Sequence, residues 1–364
     1  MPVRNLHQKP FDEGTRDKLE LYREYLREWL PVFINASALD IIQVFDFFAG
    51  PGFDVDENPG SPAITCDEIR NVIQSGKQHS KVIKAYFNEK TSDKYKSLSL
   101  YVDEQRVSLP QVVFATMNND FHTAFEQWEP HMHGRVGNLL FLDQNGVKQI
   151  TKAIFQAIVR LPKTDFIFFI SSAMINRFRT LPEIQDCVPV TDEDFSRMNG
   201  TNVHRIVAES YRRWIPDRLE YYLGSFSIRK GSNVYGLVFG SGHPLGIDKF
   251  LKVAWKHGGD ANFDIDKDGI DPWQPSLFLE YDKPSKISVF EKELEAAVLG
   301  RQLATNKDVY LFALQNGMLA SHARNGLELL IKGKKLPKQN LHVSYDAWKK
   351  PKVERVCFLK GGLS

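Results

Sequence analysis

The period of the apolar positions changes along the chain. Over residues 12–33, Leu19, Tyr22, Leu26, Trp29, Leu30 and Phe33 recur mostly three and four apart, the single apolar stripe of an amphipathic helix. Beyond it come short apolar runs with polar ends. Ile41–Phe48, broken only by Gln43 and Asp46, ends in Gly50-Pro51-Gly52. Val82–Phe87 ends at Asn88-Glu89, and Val112–Met117 at Asn118-Asn119-Asp120. Leu139–Leu142 ends at Asp143, and Phe166–Ile170 at Ser171-Ser172. Runs this short, apolar on both faces, predict buried parallel strands. Helix-compatible stretches such as Thr65–Gln74 and Val147–Arg160 lie between them, which predicts a doubly wound, Rossmann-like α/β sheet.

After Gly200 the alternation stops. Val203–Trp214 reads as a helix, and Tyr221–Ile228 with Val234–Phe239 reads as a hairpin across Arg229-Lys230-Gly231-Ser232. Gly242-His243-Pro244-Leu245-Gly246 then leads into a helix over Ile247–Lys256. Five parallel strands closed by an antiparallel hairpin are the strand set of a class I S-adenosylmethionine (SAM) methyltransferase sheet. Residues 1–260 are therefore read as that domain, and 261–286, rich in Asp, Pro and Gly, as a linker or insertion. Residues 287–364 predict a separate unit. Its helices are Phe290–Leu303, Asp308–Leu314 and Ser321–Ile331, the last capped by Ser321, with strands Leu341–Tyr345 and Arg355–Leu359 after them. Three helices and a basic hairpin outline a winged helix.

Composition narrows the classes. The chain has 364 residues, 42% hydrophobic and 25% charged, which excludes general disorder and collagen-like repeats. Three cysteines, Cys66, Cys187 and Cys357, lie far apart without CxxC spacing, as expected in a reducing cytoplasm. The N-terminal MPVRNLHQKPFDEG has no apolar core of a signal peptide. Phe166–Ile175 is short of the ~20 residues a bilayer span needs, so a soluble cytoplasmic protein without a membrane partner is expected. The net charge of +2 hides an asymmetry. Residues 331–364 hold nine Lys/Arg against two acids, while residues 1–330 carry a small acidic surplus. A basic tail on an acidic body points to an anionic partner.

Candidate chemistry sits at the strand ends, where open α/β sheets bind ligands. Asp46-Phe47-Phe48-Ala49-Gly50-Pro51-Gly52 brings a short acid beside glycines that let a backbone approach a ligand. In a SAM site, Asp46, Phe48, Gly50 and Gly52 would hold the methionine part and Glu89 the ribose hydroxyls. Asn118, Asn119 and Asp120 would read adenine, and Asp143 with Asn145 would orient the methyl acceptor. Each has a plainer reading: a tight turn for the glycines, a solvated acid for Glu89, helix caps for Asn118 and Asn119, a turn for Asp143. Ser171, Ser172, Arg177 and His243 are weaker candidates, read as caps or loop residues. Asp264–Gly269 imitates a calcium loop, but Pro275 stands where the bidentate Glu belongs, so a polar turn is expected. In the basic unit, His322, Arg324 and Asn325 open the third helix, Lys332, Lys334, Lys335 and Lys338 follow, and Lys349, Lys350 and Lys352 mark the wing tip. Such a cluster suits a phosphate backbone, the alternative being a solvated tail or a protein contact.

DFFAGPG after the KLELYREYL helix, then FNEK, LFLDQNGV and GHPLG in that order, resemble the three-Cys-motif partner proteins. The resemblance covers about residues 12–255 and, more weakly, the winged helix. It implies a class I methyltransferase-like fold binding SAM, and a neighbour-encoded radical-SAM-like partner that carries the three-cysteine motif. It also implies a setting in mobile or phage-related gene neighbourhoods. The Pro-Cys nucleophile of cytosine-C5 enzymes and the Asn/Asp-Pro-Pro-aromatic grip of amino-methylating ones are absent after the fourth strand, where Asp143-Gln144-Asn145-Gly146 stands. The expected function is SAM-dependent methylation of DNA or RNA. The alternative is a non-catalytic SAM- or nucleotide-binding module that regulates the partner.

Overall fold

A computed structural model describes residues 10–76, 80–144, 148–170, 188–198, 203–230, 233–256 and 286–359. The N-terminal stripe becomes α1 (Glu13–Ile34), which starts where the Asp12 side chain accepts the Thr15 N–H. It buries Leu19, Tyr22, Leu26, Trp29 and Leu30 as the spacing predicts. The apolar runs become β1 (Ile41–Asp46), β2 (Val82–Asn88), β3 (Val112–Met117), β4 (Val136–Leu142) and β5 (Thr164–Ile170). Between them lie α2 (Ser61–Gln74), α3 (Ser92–Ser108), α4 (Phe121–Trp128) and α5 (Lys152–Arg160). Next come α6 (Asp192–Arg197), α7 (Val203–Ser210) with a 3-10 turn at Tyr211–Trp214, β6 (Tyr222–Lys230), β7 (Asn233–Ser241) and α8 (Pro244–Lys256).

The strands form a seven-stranded sheet in the order β3-β2-β1-β4-β5-β7-β6. β1 to β5 pair in parallel, and β7 runs antiparallel to both β5 and β6. This is a Rossmann-like sheet closed by an antiparallel hairpin, the arrangement of a class I methyltransferase fold. The chain leaves β1 towards β2 on one side and returns to β4 on the other, so the order reverses between β1 and β4. At that switch point an open sheet has its crevice.

Alternation along the strands sends side chains to two layers. Phe45, Phe47, Leu140, Phe166 and Phe168 join a core with Phe121, Phe125, Trp128, Phe155, Tyr211 and Trp214. On the other face, α1 lays Tyr22 on Phe141 (ring centroids 4.1 Å) and Tyr25 on Phe239 (5.0 Å). Gly137 of β4 leaves the room that Phe33 of α1 fills, since a Cβ there would lie 2.1 Å from its ring. Register then fixes the ligand edge: Asp46 stands opposite Phe87 and Phe141, so the carboxyl ends of β1, β2 and β4 are level.

The chain divides into two compact units, Met1–Lys249 and Phe250–Ser364. The second contains α9 (Lys286–Leu299), α10 (Asn306–Gln315), α11 (Ala320–Lys332) and α12 (Tyr345–Lys349). Its three long helices match the expectation, but the wing does not form. Ser344 accepts the Ala347 N–H and starts α12 where a strand is expected, and Arg355 makes only an isolated antiparallel bridge with Thr305. The cap of α11 is Leu319, not Ser321. The expected linker and the calcium-like Asp264–Gly269 turn lie outside the described residues, as do Asn145, Ser171, Ser172 and Arg177. Among the described residues no helix is long and apolar enough to cross a membrane.

Candidate functional site

The site is built on the carboxyl ends of β1, β2 and β4. Asp46 closes β1 on the α1 side, fully buried. Its Oδ1 accepts the Phe48 N–H at 3.1 Å, while Oδ2 is buried and meets no partner in hydrogen-bond geometry among the described residues. Burial pushes this carboxyl up to about 7; the nearby Ser61 hydroxyl and the Phe48 N–H pull it down, and the charges of Asp143 and Glu89 add to the rise. An orphaned carboxylate oxygen at the switch point is costly unless a ligand completes it.

The loop after β1 turns at Gly50 (φ 66°) and Gly52 (φ 99°), both in the left-handed region that side chains avoid. Gly50 donates its N–H to Glu89 Oε2 at 3.0 Å, and Thr91 donates to Glu89 Oε1 at 2.7 Å. Glu89 is thus a buried bracket between the first two strand-end loops, with lone pairs left for further donors. The polar insertion that follows is clamped by Asp54. Burial pulls its carboxyl up, but the N–H groups of Phe11, Asp56 and Asn58 and the Asn58 amide together hold it below the usual range. The chain returns as Gly60 donates to the Gly52 carbonyl at 2.8 Å, and a Cβ on Gly60 would meet that oxygen at 2.9 Å. No side chain caps the N-terminus of α2, which begins at the next residue.

Asn88, absent from the residues picked out by sequence, ties three strand ends together. Its amide donates to the Phe47 carbonyl at 3.1 Å and the Asn119 carbonyl at 3.0 Å, and its oxygen accepts the Asn119 N–H at 3.2 Å. The signal available was an asparagine closing an apolar strand, which must find buried partners. Asn118 is spent on its neighbours, donating to the carbonyls of Glu89 (2.6 Å) and Lys90 (3.0 Å) and accepting the Ser92 hydroxyl at 3.3 Å. Asp120 caps α4 through the Thr123 N–H and hydroxyl, which holds its carboxyl below the usual range. Asn119 keeps its side-chain amide without a hydrogen bond among the described residues, half-buried beside them. Phe48 is half-buried and stacks on Phe121 at 5.2 Å.

At the end of β4, Asp143 shares the α1 face with Phe141. Lys18 of α1 pairs with Asp143 Oδ2 and lies 5.0 Å from the centroid of the Phe169 ring. Lys18 sits one helical turn before Tyr22, whose hydroxyl meets Thr65 Oγ1 at 2.8 Å. Sequence patterning missed Lys18, because a lone lysine on an apolar stripe reads as a solvated edge. Gln144, buried, accepts the Gln149 N–H and donates to the Phe169 carbonyl. Among the described residues three acids and one lysine therefore converge on the switch point, yet no group of three His, Cys, Asp or Glu there is arranged to hold a metal ion.

In the second unit, His322 accepts the Leu319 N–H on Nδ1 at 3.3 Å and packs edge-on against Trp255 at 4.2 Å, so it is built into the helix start. Lys335 pairs with Glu295. Arg324, Asn325, Lys334, Lys349, Lys350 and Lys352 are exposed. In the first unit, His243 accepts the Leu245 N–H at the start of α8.

No protein-family model matches the chain, and no curated protein matches it, so the likeness to the three-Cys-motif partner proteins rests on its motifs alone. Solved structures similar to it include a SAM-dependent methyltransferase from Agrobacterium tumefaciens (10% identity, TM-score 0.34). That alignment covers 62% of this chain and 62% of the Agrobacterium chain, less than two thirds of either. An O-methyltransferase from Bacillus cereus in complex with SAH aligns at 11% identity over 64% of this chain and 91% of its own, TM-score 0.34. Spermidine synthase from Thermotoga maritima aligns at 12% identity over 69% and 67%, TM-score 0.29. At these scores the likeness bears on neither substrate nor reaction.

Proposed function

We propose that the chain is a SAM-dependent methyltransferase whose donor site lies over the ends of β1 and β2. The observation that carries this reading is the buried, unpartnered Oδ2 of Asp46 beside the left-handed turns at Gly50 and Gly52. A donor with an ammonium group completes that oxygen, and Gly50 and Gly52 take the left-handed turns that side chains avoid. Asp46, Phe48, Gly50 and Gly52 hold the methionine part, with the uncapped start of α2 suited to its carboxylate. Glu89 has lone pairs for the ribose hydroxyls, and Asn119 has a side-chain amide without a hydrogen bond among the described residues, suited to adenine. Asn118 and Asp120 position that wall without reaching the ligand. When bound, SAM supplies an electrophilic methyl on a sulfonium; the protein supplies alignment and exclusion of water. Asp143, held by Lys18, faces the acceptor.

The acceptor is a nucleic acid in this reading. Support comes from the second unit, whose exposed Arg324, Lys334, Lys349, Lys350 and Lys352 give a basic surface without a wing hairpin. The motif resemblance adds a radical-SAM-like three-Cys-motif protein as partner. A non-catalytic SAM-binding module regulating that partner is the second reading, favoured by the ion pair that already occupies Asp143. Methyl-labelled SAM incubated with the full chain and DNA, RNA or the partner separates the two. Label on a nucleic acid supports the methyltransferase; SAM binding without label transfer to any of them overturns it in favour of the module.

A further inference from the structure

The reacting end of the candidate site is strongly one-signed. Glu89 and Asp143 each lie close enough to Asp46 for their charges to disturb it, and among the described residues Lys18 is the cation paired with Asp143. Lys18 is only 15% exposed and Asp143 29%, so solvent screens this group less than a surface pair. Lys18 engages one oxygen of Asp143; the other has no hydrogen-bond partner among the described residues. The orphaned Oδ2 of Asp46 is a second, independent opening for a positive ligand. Among the described residues the carboxylates of Glu89 and Asp143 and an Asp46 carboxyl pushed up to about 7 stand against one ammonium, so this part of the site is short of positive charge.

We infer that Asp143 and Lys18 set a charge preference at this site, favouring a sulfonium donor over the thioether that remains after transfer. The inference rests on the methyl-donor reading and goes beyond it by assigning specificity to a residue of α1. A sulfonium carries one positive charge more than the thioether, because the methyl leaves without the sulfur's bonding electron pair. Both ligands otherwise present the same adenosine and amino-acid groups, so the difference in their affinities isolates the charge. The acids favour the donor, and their attraction is lost with the methyl, which hastens departure of the spent cofactor. Lys18 moderates this preference: it neutralises Asp143 while lying over the Phe169 ring.

The test is calorimetry of SAM and of S-adenosylhomocysteine on the full chain, at one pH and ionic strength, for wild type, Asp143→Asn, Lys18→Ala and Lys18→Arg. Each variant is scored by the ratio of its two affinities, so loss of folded protein cancels. A charge several ångströms away in a partly wet site shifts that ratio by about three- to tenfold. Asp143→Asn should lower the preference for SAM by that factor, Lys18→Ala should raise it by about threefold, and Lys18→Arg should keep the wild-type ratio. Binding of both ligands with ratios within twofold of wild type in Asp143→Asn and Lys18→Ala overturns the inference and leaves the donor site standing. Failure of wild type to bind either ligand overturns the donor reading itself, and the inference with it.

Discussion

The N–H of Gly50 points at Glu89 Oε2, 3.0 Å away, while the other oxygen of the same carboxylate takes the Thr91 N–H. The acid that reads as a ribose ligand is therefore also the clasp that sets the glycine turn. Removing it by Glu89→Ala strands the buried Gly50 N–H and leaves the Thr91 N–H, at an exposed residue, to water. Each unsatisfied donor costs about 1–3 kcal/mol, less where water enters. Urea unfolding should show Glu89→Ala destabilised by about 2 kcal/mol, with Glu89→Gln, which keeps one acceptor oxygen, between it and wild type. Equal stability of all three would show that the clasp is not formed.

Asn88 offers a sharper stability test. Asn88→Asp keeps the acceptor for the Asn119 N–H but puts an oxygen against the carbonyls of Phe47 and Asn119. Both substitutions, Asn88→Ala and Asn88→Asp, should cost about 2–3 kcal/mol. The aspartate variant should recover in part at acid pH, where its protonated carboxyl can donate again. An aspartate variant whose deficit is constant from pH 7 to about pH 4 would contradict the tie.

A buried acid far from the ligand edge gives a pH signature. Asp165 of β5 accepts the Tyr25 hydroxyl at 2.9 Å, and burial pushes its carboxyl up to about 6, against the pull of the Ser241 and Tyr25 hydroxyls. The folded chain thus holds this proton more tightly than the unfolded chain, where an aspartate titrates near pH ~4. Its stabilising contribution is complete below about pH 4 and is lost as pH rises to about 6. Asp165→Asn removes the titration while keeping an acceptor for Tyr25. Its melting temperature relative to wild type should climb between pH 4 and pH 6 and then level off; a difference independent of pH would contradict the burial argument. Asp46 acts in the same direction in both proteins and does not alter the comparison.

The basic surface of the second unit is tested by salt dependence. Lys349→Ala/Lys350→Ala/Lys352→Ala should weaken binding to a DNA or RNA duplex and flatten the slope of log affinity against log salt, because fewer counterions are released. A wild-type slope in the triple variant would remove these lysines from any nucleic-acid contact.

The strands were legible because a buried parallel strand is a short apolar run with a polar end, and β1 to β5 all have that form. The motif acids Asp46 and Glu89 were legible for the same reason: they sit where the run stops. α3 gives no helical signal in the sequence, since it buries only Leu98, Val102 and Gln105 and carries almost no apolar stripe. The wing misled because Leu-His-Val-Ser-Tyr at 341–345 alternates like a strand, while the Ser344 side chain caps a helix there. The contacts of Lys18 and Asn88 escaped for another reason. Lys18 meets Asp143 125 positions later, and Asn88 reaches 41 positions back and 31 forward, so no local pattern announces either.

Titration of SAM into the chain tests the central claim most directly. A donor site built on Asp46, the Gly50–Gly52 turn and Glu89 predicts saturable binding at one site per chain, weakened in Glu89→Gln. No binding at millimolar SAM would contradict it.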